Sequence, residues 1–258
     1  AVTRWNDDPT VDRDGSFLYL RDLEDGSFWS ATLQPTGVAA ERYEFEAQPG
    51  RVSFRRADRG IQTELDVCIC PENDVEYRRC RLTNLSSRPR TIELTSYLEW
   101  VLQDAAADAS HPAFSKLFVQ TEFLPDCQAI IARRRRRDPH QTILNGAHWI
   151  ASIEGRTSST ASFETNRMAF IGRGGALTAP DALTAAATAC LIGQQGPVLD
   201  PIASLRTIFL LAPNESASIV YGTTARRDDE VLGMRLNALS TEEVDIAFLR
   251  AEEFARRE

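Results

Sequence analysis

Lysine is almost absent from this sequence of 258 residues, since Lys116 stands alone beside 28 arginines. Acidic residues outnumber basic ones by 37 to 29, which gives a net charge of −8. A general nucleic-acid-binding protein typically shows a basic excess, so we expect no nucleic-acid partner. No apolar run approaches the roughly 20 residues that a membrane-spanning helix needs. We therefore expect no membrane contact by this chain.

Cysteine is scarce, and the five residues present cannot all pair within one chain. Cys68 and Cys70 alternate in a strand-like segment, so both side chains should project from the same face of a sheet. No C-x-x-C pair is present, which leaves a zinc ribbon or a redox motif without support. A reducing, cytoplasmic compartment is the simplest interpretation. The N-terminus has neither a signal peptide nor an initiating Met, and we expect the chain to be part of a longer protein.

The common catalytic signatures are also missing. The sequence contains no G-x-S-x-G elbow, no H-E-x-x-H motif and no Walker loop. The three histidines, His111, His140 and His148, have no metal-ligand spacing, so we expect no metal site. The arginine bias is typical of a GC-rich genome, but it leaves open why lysine stands at position 116.

Alternation of apolar and polar residues dominates the sequence and is typical of half-buried β-strands. Turn residues such as Asp25-Gly26 and Pro49-Gly50 separate the alternating segments. Because βαβ units are missing, we predict a mainly β protein with one large antiparallel β-sandwich. The predicted strands include Arg42–Glu46, Arg51–Arg55, Ile61–Val67, Val75–Thr83, Arg90–Leu102, Phe118–Leu124, Gln128–Arg134, His148–Glu154, Ser162–Gly172, Ser204–Leu211 and Ala217–Thr224.

The C-terminal part changes to a helical pattern. Asp228–Leu239 is helix-like, and Ser240–Glu243 matches a capping box with Glu243 at the third helical position. The pattern predicts a sandwich over residues 1–226 and linker helices over 227–258 that lead to a missing helical domain. The alternative is that the last helix only packs on the sandwich. Its apolar residues at helical spacing are Val244, Ala247, Phe248, Ala251, Phe254 and Ala255.

Two long segments, Asp104–Phe118 and Leu177–Pro201, do not follow a strand pattern and are predicted to be loops. Long loops on a rigid scaffold commonly carry binding residues. Aromatic faces stack on sugar rings, and polar side chains bind hydroxyls or phosphate oxygens. The first loop therefore supplies four candidate substrate-binding residues: His111, Phe114, Ser115 and Lys116. In the alternative interpretation, Phe114, Leu117 and Phe118 anchor the core and Lys116 lies on the surface.

Trp29 and Gln34 are two further candidate substrate-binding residues, because a strand there leads into a polar turn. The alternative is a core tryptophan followed by an ordinary turn. The run Arg133–Arg137 could contact phosphate, or it could be a solvated strand end closed by Asp138-Pro139. The acidic net charge favours the solvated strand end.

Short motifs follow one another in order from residue 2 to about residue 225. The motifs are Trp5–Thr10, Gly15–Asp22, Trp29-Ser30, Gln34-Pro35, Tyr43-Glu44, Glu93–Tyr97, His111–Phe118, Thr121–Phe123 and Leu199–Arg206. This ordered set resembles the N-terminal supersandwich region of glycoside hydrolase family 94, also classed as glycosyltransferase family 36. Phe45-Glu46-Ala47 follows Tyr43-Glu44 where the cellobiose-type branch has Arg-His-Gly, which favours similarity to the cyclic β-1,2-glucan synthase branch.

The resemblance implies a galactose-mutarotase-like supersandwich, then linker helices, then an (α/α)6 barrel that holds the catalytic acid and the phosphate site. This chain should then contain no catalytic residue and bind no cofactor. Family members are commonly homodimers whose sandwich loops approach the neighbouring active site, a role for which His111–Phe118 is the candidate. The resemblance also implies strands upstream of Ala1, without which an edge would be exposed.

The leading hypothesis is a non-catalytic sandwich domain of a cyclic β-1,2-glucan synthase or a related inverting phosphorylase. It would supply a scaffold, dimer contacts and the rim of a site for β-glucan or glucosyl phosphate. Attachment of the parent protein to the bacterial inner membrane is left open. The alternatives are an independent carbohydrate-binding module and a free-standing hydrolase with its own carboxylate pair.

Overall fold

The computed structural model of the chain describes residues 1–4, 14–136, 138, 142–158, 161–184, 191–227, 236 and 238–257. Strands make up most of the regular structure. The helices are α1 (Ala105–Ser110), α2 (Pro112–Lys116), α3 (Arg167–Ile171), α4 (Asp181–Thr184) and α5 (Thr241–Ala255). The strands are β1 (Phe17–Asp22), β2 (Phe28–Ser30), β3 (Arg42–Gln48), β4 (Arg51–Asp58), β5 (Ile61–Cys70), β6 (Val75–Asn84), β7 (Arg90–Glu99), β8 (Val119–Leu124), β9 (Ala129–Arg134), β10 (Leu144–Glu154), β11 (Ser162–Asn166), β12 (Pro201–Leu211) and β13 (Ser216–Arg227).

The strands form two sheets of unequal width. The smaller sheet has five strands in the order β11-β12-β7-β1-β2, and the larger has eight in the order β3-β4-β5-β6-β13-β10-β9-β8. Every pairing between these strands is antiparallel. This confirms the predicted mainly β, antiparallel sandwich.

Alternation along the strands builds the core between the sheets. In β7, Ile92, Leu94 and Leu98 point into this core and are at most 1% exposed. Tyr97 and Glu99 project from the opposite face of the same strand, because successive side chains alternate. The smaller sheet therefore presents charged and aromatic side chains on its outer face, where α3 and α4 cover part of it.

Helix α5 covers part of the outer face of the larger sheet. Ser240 and Glu243 form the predicted capping box, which starts the helix at Thr241. The buried stripe consists of Val244, Ala247, Phe248 and Ala251, as predicted, whereas Phe254 is 51% exposed and lines an open cleft beside β5.

Two buried cysteines lie in the same cluster as α5. Cys68 and Cys70 share one sheet face, as their spacing predicts, and both thiols are free. Burial raises the pKa of the Cys68 thiol to about 12, so it stays protonated. Cys190 lies outside the described residues.

Three segments differ from their predicted structure. The strand expected over Ser162–Gly172 ends at Asn166, whose side chain accepts a hydrogen bond from the backbone N–H of Met168 and starts α3. In the same way, Asp104 caps α1 inside the predicted loop Asp104–Phe118. A side chain that bonds the backbone two residues ahead favours a helix start over a strand. The helix predicted over Asp228–Leu239 lies almost wholly outside the described residues.

His148 is buried between the two sheets, where both ring nitrogens have partners. The hydroxyl oxygens of Ser96 and Thr223 each lie 2.9 Å from a ring nitrogen, and the ring stacks on Tyr221 with centroids 5.5 Å apart. Burial, assisted by the charge of Arg78, lowers the His148 pKa to about 3. The residue is therefore a neutral core histidine.

The neutral burial of His148 predicts a specific pH dependence. Unfolded His148 takes up a proton below about pH 6.5, whereas the folded form does not, so folding stability is lost as the pH falls toward 3. The residue should contribute a slope of about 1.4 kcal/mol per pH unit to the free energy of unfolding across that window. Urea denaturation between pH 7 and pH 4 should therefore give a shallower slope for His148→Gln. Parallel profiles for the two proteins would contradict this account.

Candidate functional site

Lys116 ends α2 and is only 7% exposed. Its ammonium group pairs with Asp200 and lies 3.7 Å from Oε2 of Glu99. A buried ammonium is tolerated only where opposite charges and hydrogen bonds compensate for lost hydration. The lone lysine of the sequence is therefore an internal clamp that joins α2 to β7 and to the residue before β12.

Glu99 pairs with basic side chains from distant parts of the chain. Its carboxylate accepts hydrogen bonds from Arg167 (2.8 Å), Arg4 (3.2 Å) and the Tyr97 hydroxyl (2.7 Å). Burial opposes ionisation, but the hydrogen bonds from Arg167 and Tyr97 and the charges of Arg167 and Lys116 hold the Glu99 pKa below its ordinary value. Glu99 is therefore an ionised structural acceptor.

A second anchor holds the other side of the loop. Arg134 of β9 is 4% exposed and donates to the carbonyl oxygens of Ser115 (3.2 Å) and Val101 (3.3 Å). Gln103 accepts from Arg134 and donates to the Ser115 hydroxyl. Ser115 is thus buried at 5% exposure and fixed by hydrogen bonds.

The arginine run agrees in part with the predicted solvated strand end, because Arg135 and Arg136 are exposed but Arg134 is buried. Arg134 is inside the protein, while Arg133 pairs with Glu122 and Arg135 donates to the Leu117 carbonyl oxygen. Each of these three guanidinium groups therefore binds a carboxylate or a carbonyl oxygen of this chain. Arg137 lies outside the described residues.

The aromatic and apolar side chains of the loop face outward. Phe114 is 48% exposed, Leu117 is 43% exposed and His111 is exposed. The Phe114 and Phe118 rings meet edge to face with centroids 5.2 Å apart. The alternative that placed Phe114 and Leu117 in the core and Lys116 on the surface is therefore wrong, because the paired ammonium takes the interior position.

Lys116, Glu99, Asp200, Arg4 and Arg167 form a charged cluster. Exposed apolar side chains also lie next to Arg167 and Asp200 in the sequence. Met168, next to Arg167, is 60% exposed, and Leu199, next to Asp200, is 75% exposed. We call Met168, Leu199, Phe114 and Leu117 the apolar rim, because each is exposed and lies within two residues of Arg167, Asp200 or Lys116. Exposed apolar patches on a rigid support are typical of an interaction surface.

Gln34 and Trp29 occupy different environments. Trp29 is 1% exposed and packs in the core between the sheets, so it does not belong to the accessible candidate surface. Gln34 is half-buried and lines a cleft of about 570 Å³ together with Arg4, Glu99 and Arg167. The structure thus brings Gln34 to the same charged cluster as Lys116.

A neighbouring cleft extends this surface toward the loop. It has a volume of about 380 Å³, shares Arg4 and Asp14 with the first cleft and reaches Pro112 of α2. The two clefts therefore connect the Gln34 turn with the start of the His111–Phe118 loop. Within the described residues, no group of three or more His, Cys, Asp or Glu side chains is arranged to hold a metal ion.

Sequence reasoning missed the residues that organise the site. Glu99 and Arg167 lie within predicted strands, and Arg4 precedes the first motif. Asp200 is the exception, because it lies at the end of the second predicted loop, next to Pro201, where binding residues are expected. The partners of Lys116 lie 17 and 84 residues from it along the chain, a separation that no local pattern encodes.

Comparison with known proteins gives the family. The model of the glycosyl hydrolase 94 supersandwich domain matches residues 1–240. The chain belongs to this family. The described helices are also too short or too polar to cross a membrane.

The relatives of the chain are larger enzymes. It is 36% identical over 230 residues to a cyclic beta-(1,2)-glucan synthase, NdvB, of Rhizobium meliloti (strain 1021), covering 89% of this chain and 8% of the relative. It is 26% identical over 250 residues to a solabiose phosphorylase of Paenibacillus borealis, covering 94% of this chain and 30% of the relative. An N,N'-diacetylchitobiose phosphorylase of Vibrio furnissii is 30% identical over 124 residues, covering 47% of this chain and 16% of the relative. The chain thus spans less than a third of these relatives.

Because Lys116 is buried and paired, we expect its replacement to destabilise the fold. Lys116→Met keeps an unbranched side chain as far as Cε but leaves Glu99 and Asp200 with one cation fewer, so the free energy of unfolding should fall by about 1–3 kcal/mol. Amide hydrogen exchange of α2 should also become faster, because the clamp no longer holds it. Chemical denaturation and hydrogen exchange measure the two effects.

Arg88→Met is the matched control for this variant. Arg88 pairs with Glu24 at 3.2 Å, but its side chain is 61% exposed. An exposed pair contributes at most about 1 kcal/mol, so this variant should unfold much like the wild type. Equal losses for Lys116→Met and Arg88→Met would show that burial adds nothing to the clamp.

Proposed function

We propose that the chain is the non-catalytic sandwich domain of a cyclic β-1,2-glucan synthase or a related inverting glycoside phosphorylase. In this proposal it acts as a scaffold, supplies dimer contacts and forms one rim of the carbohydrate site. The observation that carries the proposal is the buried Lys116 clamp, which fixes the His111–Phe118 loop while His111 and Phe114 stay exposed. Family membership supports it, since the relatives are glucan synthases and disaccharide phosphorylases.

The carboxyl groups support a non-catalytic role. A general acid needs a raised pKa together with access to substrate. Among the described residues, burial raises the pKa of Glu93 and Glu164, but these side chains are at most 2% exposed. Glu99 borders a cleft, but its pKa is lowered and its oxygens are engaged. In this proposal the catalytic acid and the phosphate site lie in a separate (α/α)6 domain, as the family resemblance implies.

The proposed roles of the candidate residues follow from their placement. His111 and Phe114 offer an imidazole and an aromatic edge to a sugar, and Gln34 offers an amide in the adjoining cleft. Ser115 and Lys116 are buried and act as positioning residues. Trp29 supports the turn from within the core.

The remaining parts of the proposal concern the parent protein. Residues 1–226 form the sandwich, and 227–258 lead toward the catalytic domain. The ligand is a β-glucan or glucosyl phosphate, the parent is a homodimer and the compartment is the cytoplasm. The apolar rim supports an intermolecular contact at this surface, because it exposes large side chains on a rigid support.

The first test is the activity of the chain alone. Incubated with β-1,2-glucan and inorganic phosphate, it should release no glucosyl phosphate, because the catalytic acid lies elsewhere. Phosphate-dependent release by the purified chain would disprove the proposal. A full-length protein that carries this chain is the positive control.

The second test uses Phe114→Ala in the full-length protein. Loss of an aromatic face should weaken the apparent affinity for glucan about 3–10-fold. The melting temperature should change only slightly, because Phe114 is 48% exposed and the change removes its edge-to-face contact with Phe118. Ile69→Ala, at another exposed apolar position, is the control and should leave the affinity unchanged. Unaltered affinity in Phe114→Ala would remove the loop from the site.

An independent carbohydrate-binding module is the alternative function, and the exposed Phe114 ring is the observation that favours it. Titration of β-1,2-glucan into the isolated chain separates the two functions. Micromolar binding that Phe114→Ala abolishes would support the module. Binding only in the presence of the catalytic domain would support the scaffold.

A further inference from the structure

Arg56 of β4 is fully enclosed by the protein. Its side chain is 0% exposed and forms an ion pair with Asp58, two residues further along the strand. Nε and Nη2 of the guanidinium group donate to the two carboxylate oxygens over 2.6 and 2.8 Å. The carboxylate compensates for the hydration that the buried guanidinium group has lost. Three of the five N–H donors of an arginine side chain are then left for other acceptors.

Those three donors bind the backbone of the segment that follows β2. Nη1 donates to the carbonyl oxygens of Ser30 (2.7 Å) and Thr32 (2.8 Å), and Nη2 donates to that of Val38 (3.1 Å). All five donors of Arg56 are thus engaged. Residues 30–38 make up the Gln34 turn. Because β4 belongs to the larger sheet and β2 to the smaller one, Arg56 joins the two sheets through this turn.

Hydroxyl groups within the Gln34 turn connect these anchored carbonyl groups to Gln34 itself. The Thr32 hydroxyl donates to the Gln34 carbonyl oxygen over 2.7 Å, and the Ser30 hydroxyl lies 2.9 Å from that of Thr36. The backbone here is irregular, so side-chain donors take the place of a strand ladder at its carbonyl oxygens. The shape of the turn therefore depends on the donors of Arg56.

The Gln34 turn brings one polar side chain to the cleft of about 570 Å³, where Gln34 lies together with Glu99 and Arg167. Glu99 and Arg167 fix each other through their hydrogen bond of 2.8 Å. Gln34 reaches the cleft from the turn, so its position there follows that of the anchored backbone. A displacement of about 1 Å is enough to spoil the hydrogen bonds of a binding group. The Arg56 side chain is itself too deeply buried to touch a ligand.

We propose that Arg56 is a positioning residue of the carbohydrate site, which acts by holding the Gln34 turn so that the Gln34 amide meets the sugar. The inference rests on the proposed function, because that function assigns the Gln34 amide to sugar binding. Lysine cannot take over this role. Its ammonium group has three donors and lacks the planar fork, so it cannot pair with Asp58 and also bind three carbonyl oxygens.

Amide hydrogen exchange in a full-length protein that carries this chain is the first test. Arg56→Lys keeps a positive charge but offers fewer donors, so amides of the Gln34 turn should exchange roughly tenfold faster or more. Arg90→Lys is the matched control, since Arg90 is also buried and pairs with Asp22 but donates to the carbonyl oxygen of Arg59. It should leave exchange in the turn unchanged. Wild-type exchange of the turn in Arg56→Lys overturns the proposal.

Kinetics of the same protein separate positioning from a general loss of stability. With β-1,2-glucan and inorganic phosphate, Arg56→Lys and Gln34→Ala should each raise the KM for glucan about 3–10-fold, as expected for one lost hydrogen bond. The value of kcat should stay unchanged, because the catalytic acid lies elsewhere. The double variant should show no further rise, since Arg56 acts through Gln34. Arg90→Lys should keep the wild-type KM even if its melting temperature falls as far.

The outcomes distinguish the inference from the function on which it rests. A wild-type KM in Arg56→Lys beside a raised KM in Gln34→Ala overturns the positioning role alone, and so do additive losses in the double variant. If neither Gln34→Ala nor Phe114→Ala changes the KM, the proposed carbohydrate site fails and the inference falls with it. Thr32→Val removes only the hydroxyl bond to the Gln34 carbonyl oxygen and should raise the KM in the same way, which keeps the test decisive if Arg56→Lys does not fold.

Discussion

The burial of one ammonium group organises the functional surface of this chain. Lys116 can leave water only because Glu99 and Asp200 supply opposite charge at the end of α2. Residues two apart on a helix lie on nearly opposite sides, so burying Lys116 turns Phe114 outward. Since Glu99 also binds Arg4 and Arg167, the N-terminus and α3 are fixed at the same carboxylate. The apolar rim is exposed because the charges occupy the interior.

The unequal width of the two sheets accounts for the other exposed features. Five strands cannot cover eight, so an outer strand of the larger sheet has no opposing layer. α5 covers part of the outer face, where small and apolar residues let it approach closely; an added Cβ at Gly50 would lie 2.3 Å from the Ala251 carbonyl oxygen. β3 lies beyond both layers, and its aromatic residues are accordingly solvent-exposed. The loop surface and the β3 edge therefore have separate physical origins.

Much of the fold was predictable because strand alternation and helix capping are local. The segment Ile61–Val67 alternates in sequence, and its burial alternates as far as Asp66; the Ser240–Glu243 box starts a helix where it predicts one. The predicted secondary structure was wrong where a short polar side chain caps a helix. Asn166 and Asp104 each cap a short helix, and apolar residues nearby, such as Ile171, fit either a strand or a helix.

The sequence by itself determined the class of fold, the C-terminal helix, the absence of familiar catalytic motifs and the segment in which Lys116 stands. Only the tertiary structure decided that Lys116 is inside and Phe114 outside, that Trp29 is a core residue and that Gln34 borders the Glu99 cluster. The physical reason is the range of the interactions. Periodicity and capping act over a few residues, whereas the ion pairs of Glu99 and Lys116 join residues up to 95 positions apart, and their strength depends on burial that the whole sandwich creates.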